Sequence, residues 1–166
     1  MSMSHTSSEI LLSLINDFLD FSKIEADRLE VKPTPFDLEL AVDEVLMLLR
    51  PSAREKGIAV YLDYDLSLPP GLIGDRGRLR QILTNLIGNA IKFTSYGRVV
   101  LSVAAREQGG DVSTIQFLVE DTGPGISQSD QNVIFQPFDQ STSPHLRQTE
   151  GSGLGLAISR QLADMM

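Results

Sequence analysis

Leu79, Ile82, Leu83, Leu86, Ile87, Ala90 and Ile91 recur at spacings of three and four, and no proline interrupts residues 75–93. A single apolar stripe along a helix needs an apolar surface to lie on, so this run predicts a helix packed on a sheet or on other helices. Opposite the stripe stand Arg78, Gln81, Asn85, Asn89 and Lys92. At about 3.6 residues per turn the last three fall nearly above one another. Asparagine is a mediocre helix former, so two of them four apart ask for a reason. A solvated polar face is one reading. Ligation is the other: a side-chain amide oxygen is a neutral hard ligand suited to Mg²⁺ already bound to phosphates, and Lys92 offers a point charge to a phosphate oxygen.

Around this helix the chain alternates. Leu11, Leu14, Ile15, Phe18 and Phe21 predict an amphipathic helix over 8–29 with a serine-rich start, and Pro33 with Pro35 marks a linker. Asp37 is suited to cap a helix ending at Gly57, and residues 58–64 predict a strand. Pro69-Pro70-Gly71 predicts a loop, and residues 98–105 and 114–120 predict a hairpin across Gly109-Gly110-Asp111. A short helix over 127–135, a polar loop over 139–150 and a last helix to about residue 164 complete the order. It predicts an α/β fold, a two-layer sandwich with helices on one face of a mixed β-sheet.

The 166 residues suffice for one domain with a short appended element. A net charge of -8 repels phosphate backbones and anionic lipid heads, which argues against nucleic acid or direct membrane contact. The absence of cysteine excludes disulfides and thiolate metal sites and fits a reducing, cytoplasmic setting. No apolar run reaches the roughly 18 residues of a membrane span.

Two glycine-rich stretches carry further chemistry. Asp121-Thr122-Gly123-Pro124-Gly125-Ile126 follows a predicted strand. It reads either as a strand-ending turn or as an adenine site, in which the acceptor-only carboxylate takes the exocyclic amino proton and the glycines let the ring approach. Gly151-Ser152-Gly153-Leu154-Gly155-Leu156 begins the last helix, where bare amides and the positive dipole end suit an anion. It is neither a Walker loop nor a convincing dinucleotide fingerprint.

The order of these features resembles the sensor histidine kinases of two-component systems, hybrid kinases in particular. Their catalytic domain shares a Bergerat-type ATP-binding fold with DNA gyrase B, HSP90 and MutL. N-L-I-G-N-A-I-K-F-T at 85–94 resembles the N box, D-T-G-P-G-I the first glycine box, Phe135 with Phe138 the F box, and G-S-G-L-G-L the second glycine box. Residues 15–30 resemble the end of the dimerisation domain. The resemblance divides the chain into a leader (1–8), dimerisation helix and linker (9–34), and a catalytic domain (35–166) lacking two strands that normally follow.

The resemblance implies ATP and Mg²⁺ as ligands, with Asn89 on the metal and Asp121 reading adenine. Asn85 and Lys92 would contact phosphates and Phe93 the base. Gly123, Gly125, Gly151, Gly153 and Gly155 would form the backbone cradle, beside Ile126, Ser152 and Leu154. Residues 139–150 would be the ATP lid, with Arg147 reaching the γ-phosphate. Glu150 and Ser152 depart from the common pattern, and Glu150, where hybrid kinases often have glycine, puts lid behaviour in doubt. Implied partners are a histidine-bearing dimerisation domain, a response regulator receiver domain and a second copy through residues 9–30.

ATPases of the wider superfamily carry a glutamate where this chain has Asn85, and an amide cannot accept the proton of an attacking water. Transfer to another nucleophile is therefore expected, yet neither His5 nor His145 has the setting of the family's phosphoacceptor, so the chain should not label itself. The alternative is a degenerate kinase-like module that docks a protein without turnover.

Overall fold

The computed structural model describes residues 3–26, 28–109, 112–137 and 153–166. They form two compact units: Lys32–Gly125, and Met1–Val31 together with Ile126–Met166.

In the first unit, β1 (Thr34–Asp37) leads directly into α2 (Leu38–Glu55). Asp37 caps α2, its Oδ1 accepting from Leu40 N at 2.9 Å. Gly57 ends the helix region with φ +69, and Ile58 N reaches back to Ala53 O at 2.9 Å. Then come β2 (Ala59–Tyr64), β3 (Gly71–Gly74), α3 (Arg76–Phe93), β4 (Arg98–Gly109) and β5 (Val112–Asp121).

The main sheet runs β2-β4-β5, with β2 parallel and β5 antiparallel to β4. It is the expected mixed sheet. Val99, Leu101 and Val103 alternate along β4 onto one face and join Leu38, Val42, Val45 and Leu46 of α2 and Leu79, Leu83 and Ile87 of α3 in a single core. Of the predicted α3 stripe, Leu79, Leu83, Ile87, Ala90 and Ile91 are buried, while Ile82 and Leu86 at its margins are half-buried.

Where the sequence predicts only a linker and a loop, β1 and β3 pair antiparallel, Pro35 opposite Ile73 and Phe36 opposite Leu72. Gly74 leaves room for Phe36, whose Cε1 would lie 3.3 Å from a β-carbon there. β4 also extends past the predicted end at Ala105, through a bulge between Ala105 and Glu107.

In the second unit α1 spans Met3–Glu25, starting earlier and ending earlier than its spacing predicts. It exposes Leu12, Ile15, Phe18 and Leu19 and packs against the last helix, α5 (Gly155–Met165). The predicted helix over 127–135 is one turn, α4 (Gln128–Gln131), capped by Ser127 Oγ on Asp130 N at 3.2 Å. No helix among the described residues is long and apolar enough to cross a membrane.

Candidate functional site

Three anchors fix α3. At its start Asp75 accepts from Arg78 N at 3.0 Å and from Lys32 N at 2.9 Å. Partial burial works against the charge of Asp75, but these amides, the Arg78 guanidinium and the Gly77 amide outweigh it and hold the carboxyl below its ordinary value. Arg76 Nη2 reaches both carboxylate oxygens of Glu44 at 2.6 Å, tying α3 to α2. At the other end Lys56 Nζ donates to Ile91 O at 2.9 Å and Lys92 O at 2.6 Å, a cation on the negative end of the helix.

Between these anchors Asn85, Asn89, Lys92 and Phe93 are half-buried. Asn89 Nδ2 points to Asn85 Oδ1 at 3.4 Å, at the long end of hydrogen-bond range. That orientation uses one N–H of the Asn89 amide and leaves its Oδ1 without a donor among the described residues. The Lys92 ammonium lies 5.2 Å from the centroid of the Phe93 ring.

β5 delivers the second element. Its last residue, Asp121, is exposed, and its Oδ1 accepts from Gly123 N at 2.8 Å. Thr122 Oγ1 accepts from Arg98 N at 3.0 Å and lies 3.1 Å from Tyr96 O, to which it donates, stapling the turn to the start of β4. A β-carbon on Gly123 would lie 2.7 Å from Asp121 Oδ1 and 3.1 Å from Phe93 O, so the turn lies close against the end of α3 and a side chain there would force its neighbours to shift. Gly125 follows at φ +73.

The structure thus brings Phe93, Asp121 and Gly123 together and sets Asn85, Asn89 and Lys92 along the same helix. Ile126, Gly153, Leu154 and Gly155 belong to the other unit. There Gly153 has φ +67 and Leu154 is buried at the start of α5, with no side chain among the described residues capping that helix. Phe135 is partly exposed beneath Arg160, 5.6 Å from its ring centroid. Phe138, Arg147, Gly151, Ser152 and the predicted lid lie outside the described residues, as does His145. Sequence reading passes over Lys56 and Thr122, because both act on backbone atoms far along the chain.

Among the described residues no three His, Cys, Asp or Glu side chains cluster as a metal site. A single neutral amide oxygen, Asn89 Oδ1, suits a Mg²⁺ ion whose other ligands are phosphate oxygens and water.

Comparison with known proteins gives the family. The family description "Histidine kinase-, DNA gyrase B-, and HSP90-like ATPase" matches residues 74–166. The chain is 42% identical over 160 residues to the signal transduction histidine-protein kinase BarA of Escherichia coli, covering 96% of this chain and 17% of BarA. Among solved structures, full-length ShkA in complex with AMPPNP superposes with a TM-score of 0.81 at 40% identity, covering 97% of this chain and 32% of ShkA. The Acinetobacter baumannii histidine kinase AdeS superposes at 0.75 with 26% identity, covering 97% of this chain and 70% of AdeS.

Proposed function

Because the chain belongs to the histidine kinase-, DNA gyrase B- and HSP90-like ATPase family, we propose that it is the Mg·ATP-binding catalytic segment of a sensor histidine kinase. It hands the γ-phosphoryl group of ATP to a histidine on a dimerisation domain, for relay to a response regulator aspartate. The observation that carries this reading is the contact between the last turn of α3 and the Asp121–Gly123 turn, which sets the Asp121 carboxylate beside the helix that carries Asn85, Asn89 and Lys92.

In this reading Asp121 accepts from the adenine amino group, Phe93 lies along the base, and Lys92 and Asn85 hold phosphate oxygens. Asn89 holds Mg²⁺ through Oδ1. When bound, the metal neutralises charge developing on the transferring phosphoryl group. Gly125 and Ile126 carry the chain away from the base, and Gly151, Ser152, Gly153, Leu154 and Gly155 supply the backbone amides of a phosphate cradle. Arg147 reaches the γ-phosphate from the lid over 139–150. Asn85 cannot take a proton from water, so the phosphoryl group waits for an imidazole nucleophile.

The exposed Leu12, Ile15, Phe18 and Leu19 of α1 support pairing with a second copy through residues 9–30, on the cytoplasmic side of any membrane the parent protein meets. ATP radiolabelled at its γ-phosphate, incubated with the chain and Mg²⁺, should pass its label to a separately supplied histidine-bearing dimerisation domain, releasing ADP, and leave the chain itself unlabelled. Label on His5 or His145 would overturn the assignment of the acceptor.

A further inference from the structure

Thr94 is wholly buried, yet its hydroxyl has no hydrogen-bond partner among the described residues. The residue follows Phe93 at the end of α3, and its backbone amide closes the helix on Ala90 O at 3.1 Å. A threonine at such a position commonly turns its hydroxyl back onto a carbonyl one turn earlier. Here it does not. An unpaired buried hydroxyl carries the full cost of its lost hydration, whereas valine fills the same shape without that cost. The hydroxyl therefore calls for a partner.

Its surroundings name one. A β-carbon built on Gly123 would meet Asp121 Oδ1 at 2.7 Å and Thr94 Oγ1 at 3.4 Å, so the hydroxyl and the carboxylate converge on one point beneath the turn. The carboxylate only accepts, and among the described residues Oδ1 has one donor, Gly123 N. A hydroxyl close by is the natural second donor, directly or through one water. Its bond would leave the outer carboxylate oxygen aimed at the base.

Resting on the Mg·ATP reading above, we propose that Thr94 is a positioning residue for adenine recognition, its hydroxyl donating to the Asp121 carboxylate when the nucleotide is bound. A carboxylate held from below accepts the exocyclic amino proton of adenine. Hypoxanthine offers a carbonyl at that place and gains nothing from the bond.

The test is titration of the parent chain, Thr94→Val and Thr94→Ser with AMPPNP and with inosine triphosphate, alongside thermal unfolding without nucleotide. Expected are an affinity loss of about tenfold for AMPPNP in Thr94→Val, recovery in Thr94→Ser, and no change in the weaker inosine binding. The unliganded Thr94→Val chain should be as stable as the parent or more so. Thr94→Ala, with the same expected loss, replaces the valine variant if that fails to fold. Parent-like AMPPNP binding by the hydroxyl-free variant overturns the role of Thr94 and leaves the nucleotide site standing. No AMPPNP binding by the parent overturns the Mg·ATP reading and this role with it.

Discussion

Gly123 donates its backbone amide to Asp121 Oδ1 at 2.8 Å, and a β-carbon at that residue would lie 3.1 Å from Phe93 O. The carboxylate is thereby oriented before any ligand arrives, by a turn that has no room for a side chain unless its neighbours shift. Gly123→Ala should therefore do more than add a methyl group. The clash with Asp121 and Phe93 should cost about 1–3 kcal/mol of stability and reduce nucleotide affinity by at least about tenfold. Urea unfolding and calorimetry measure the two effects, and parent-like values for both would contradict the close contact.

Asn85→Glu tests the choice between kinase and ATPase. A glutamate keeps an oxygen acceptor for the Asn89 amide, so the metal ligand need not move. It also supplies a group that can take a proton from water, and general-base assistance is worth roughly 10²–10⁴ in rate. Steady-state phosphate release should rise by at least about tenfold. An unchanged rate would show that Asn85 is not what withholds hydrolysis.

Lys56→Met removes the cation from the carbonyl oxygens of Ile91 and Lys92. The loss at a helix C-terminus is about 0.3–1 kcal/mol by chemical denaturation. Because those carbonyls belong to the turn that carries Lys92 and Phe93, nucleotide affinity should fall as well. Lys56→Arg should preserve most of both.

Much of this arrangement is legible in the sequence, for physical reasons. The α3 stripe announces a buried face, and Leu83 and Ile87 are indeed almost wholly enclosed. The alternation of residues 98–105 and 114–120 announces the hairpin that presents Asp121. The β1–β3 pair is not legible, because Thr34–Asp37 and Gly71–Gly74 are short, hold proline or glycine, and show no clear alternation. Lys56 is equally silent: its partners are carbonyls 35 and 36 residues away, and every residue type has one. Thr94 reads as a polar residue ending a helix, and only the packing shows it enclosed.

Asp75 gives the fold a pH-dependent element. Its folded-state value lies below the ordinary 3.8, so its stabilisation is fully present above that pH and is lost as pH falls through the folded value. Asp75→Ala should cost about 1 kcal/mol at neutral pH, the usual worth of an N-cap. As pH falls through that folded value the variant and the parent should converge. A difference that persists undiminished into acid would mean that the carboxylate charge is not what Lys32 and Arg78 bind.

Calorimetric titration with AMPPNP, with and without Mg²⁺, tests the nucleotide site most directly. The parent chain should bind one equivalent, more tightly with Mg²⁺ than without. Asp121→Ala should lose about ten- to 150-fold in affinity, the worth of one hydrogen bond to a charged group. No binding by the parent chain, or undiminished binding by Asp121→Ala, would contradict a nucleotide site built on α3 and the end of β5.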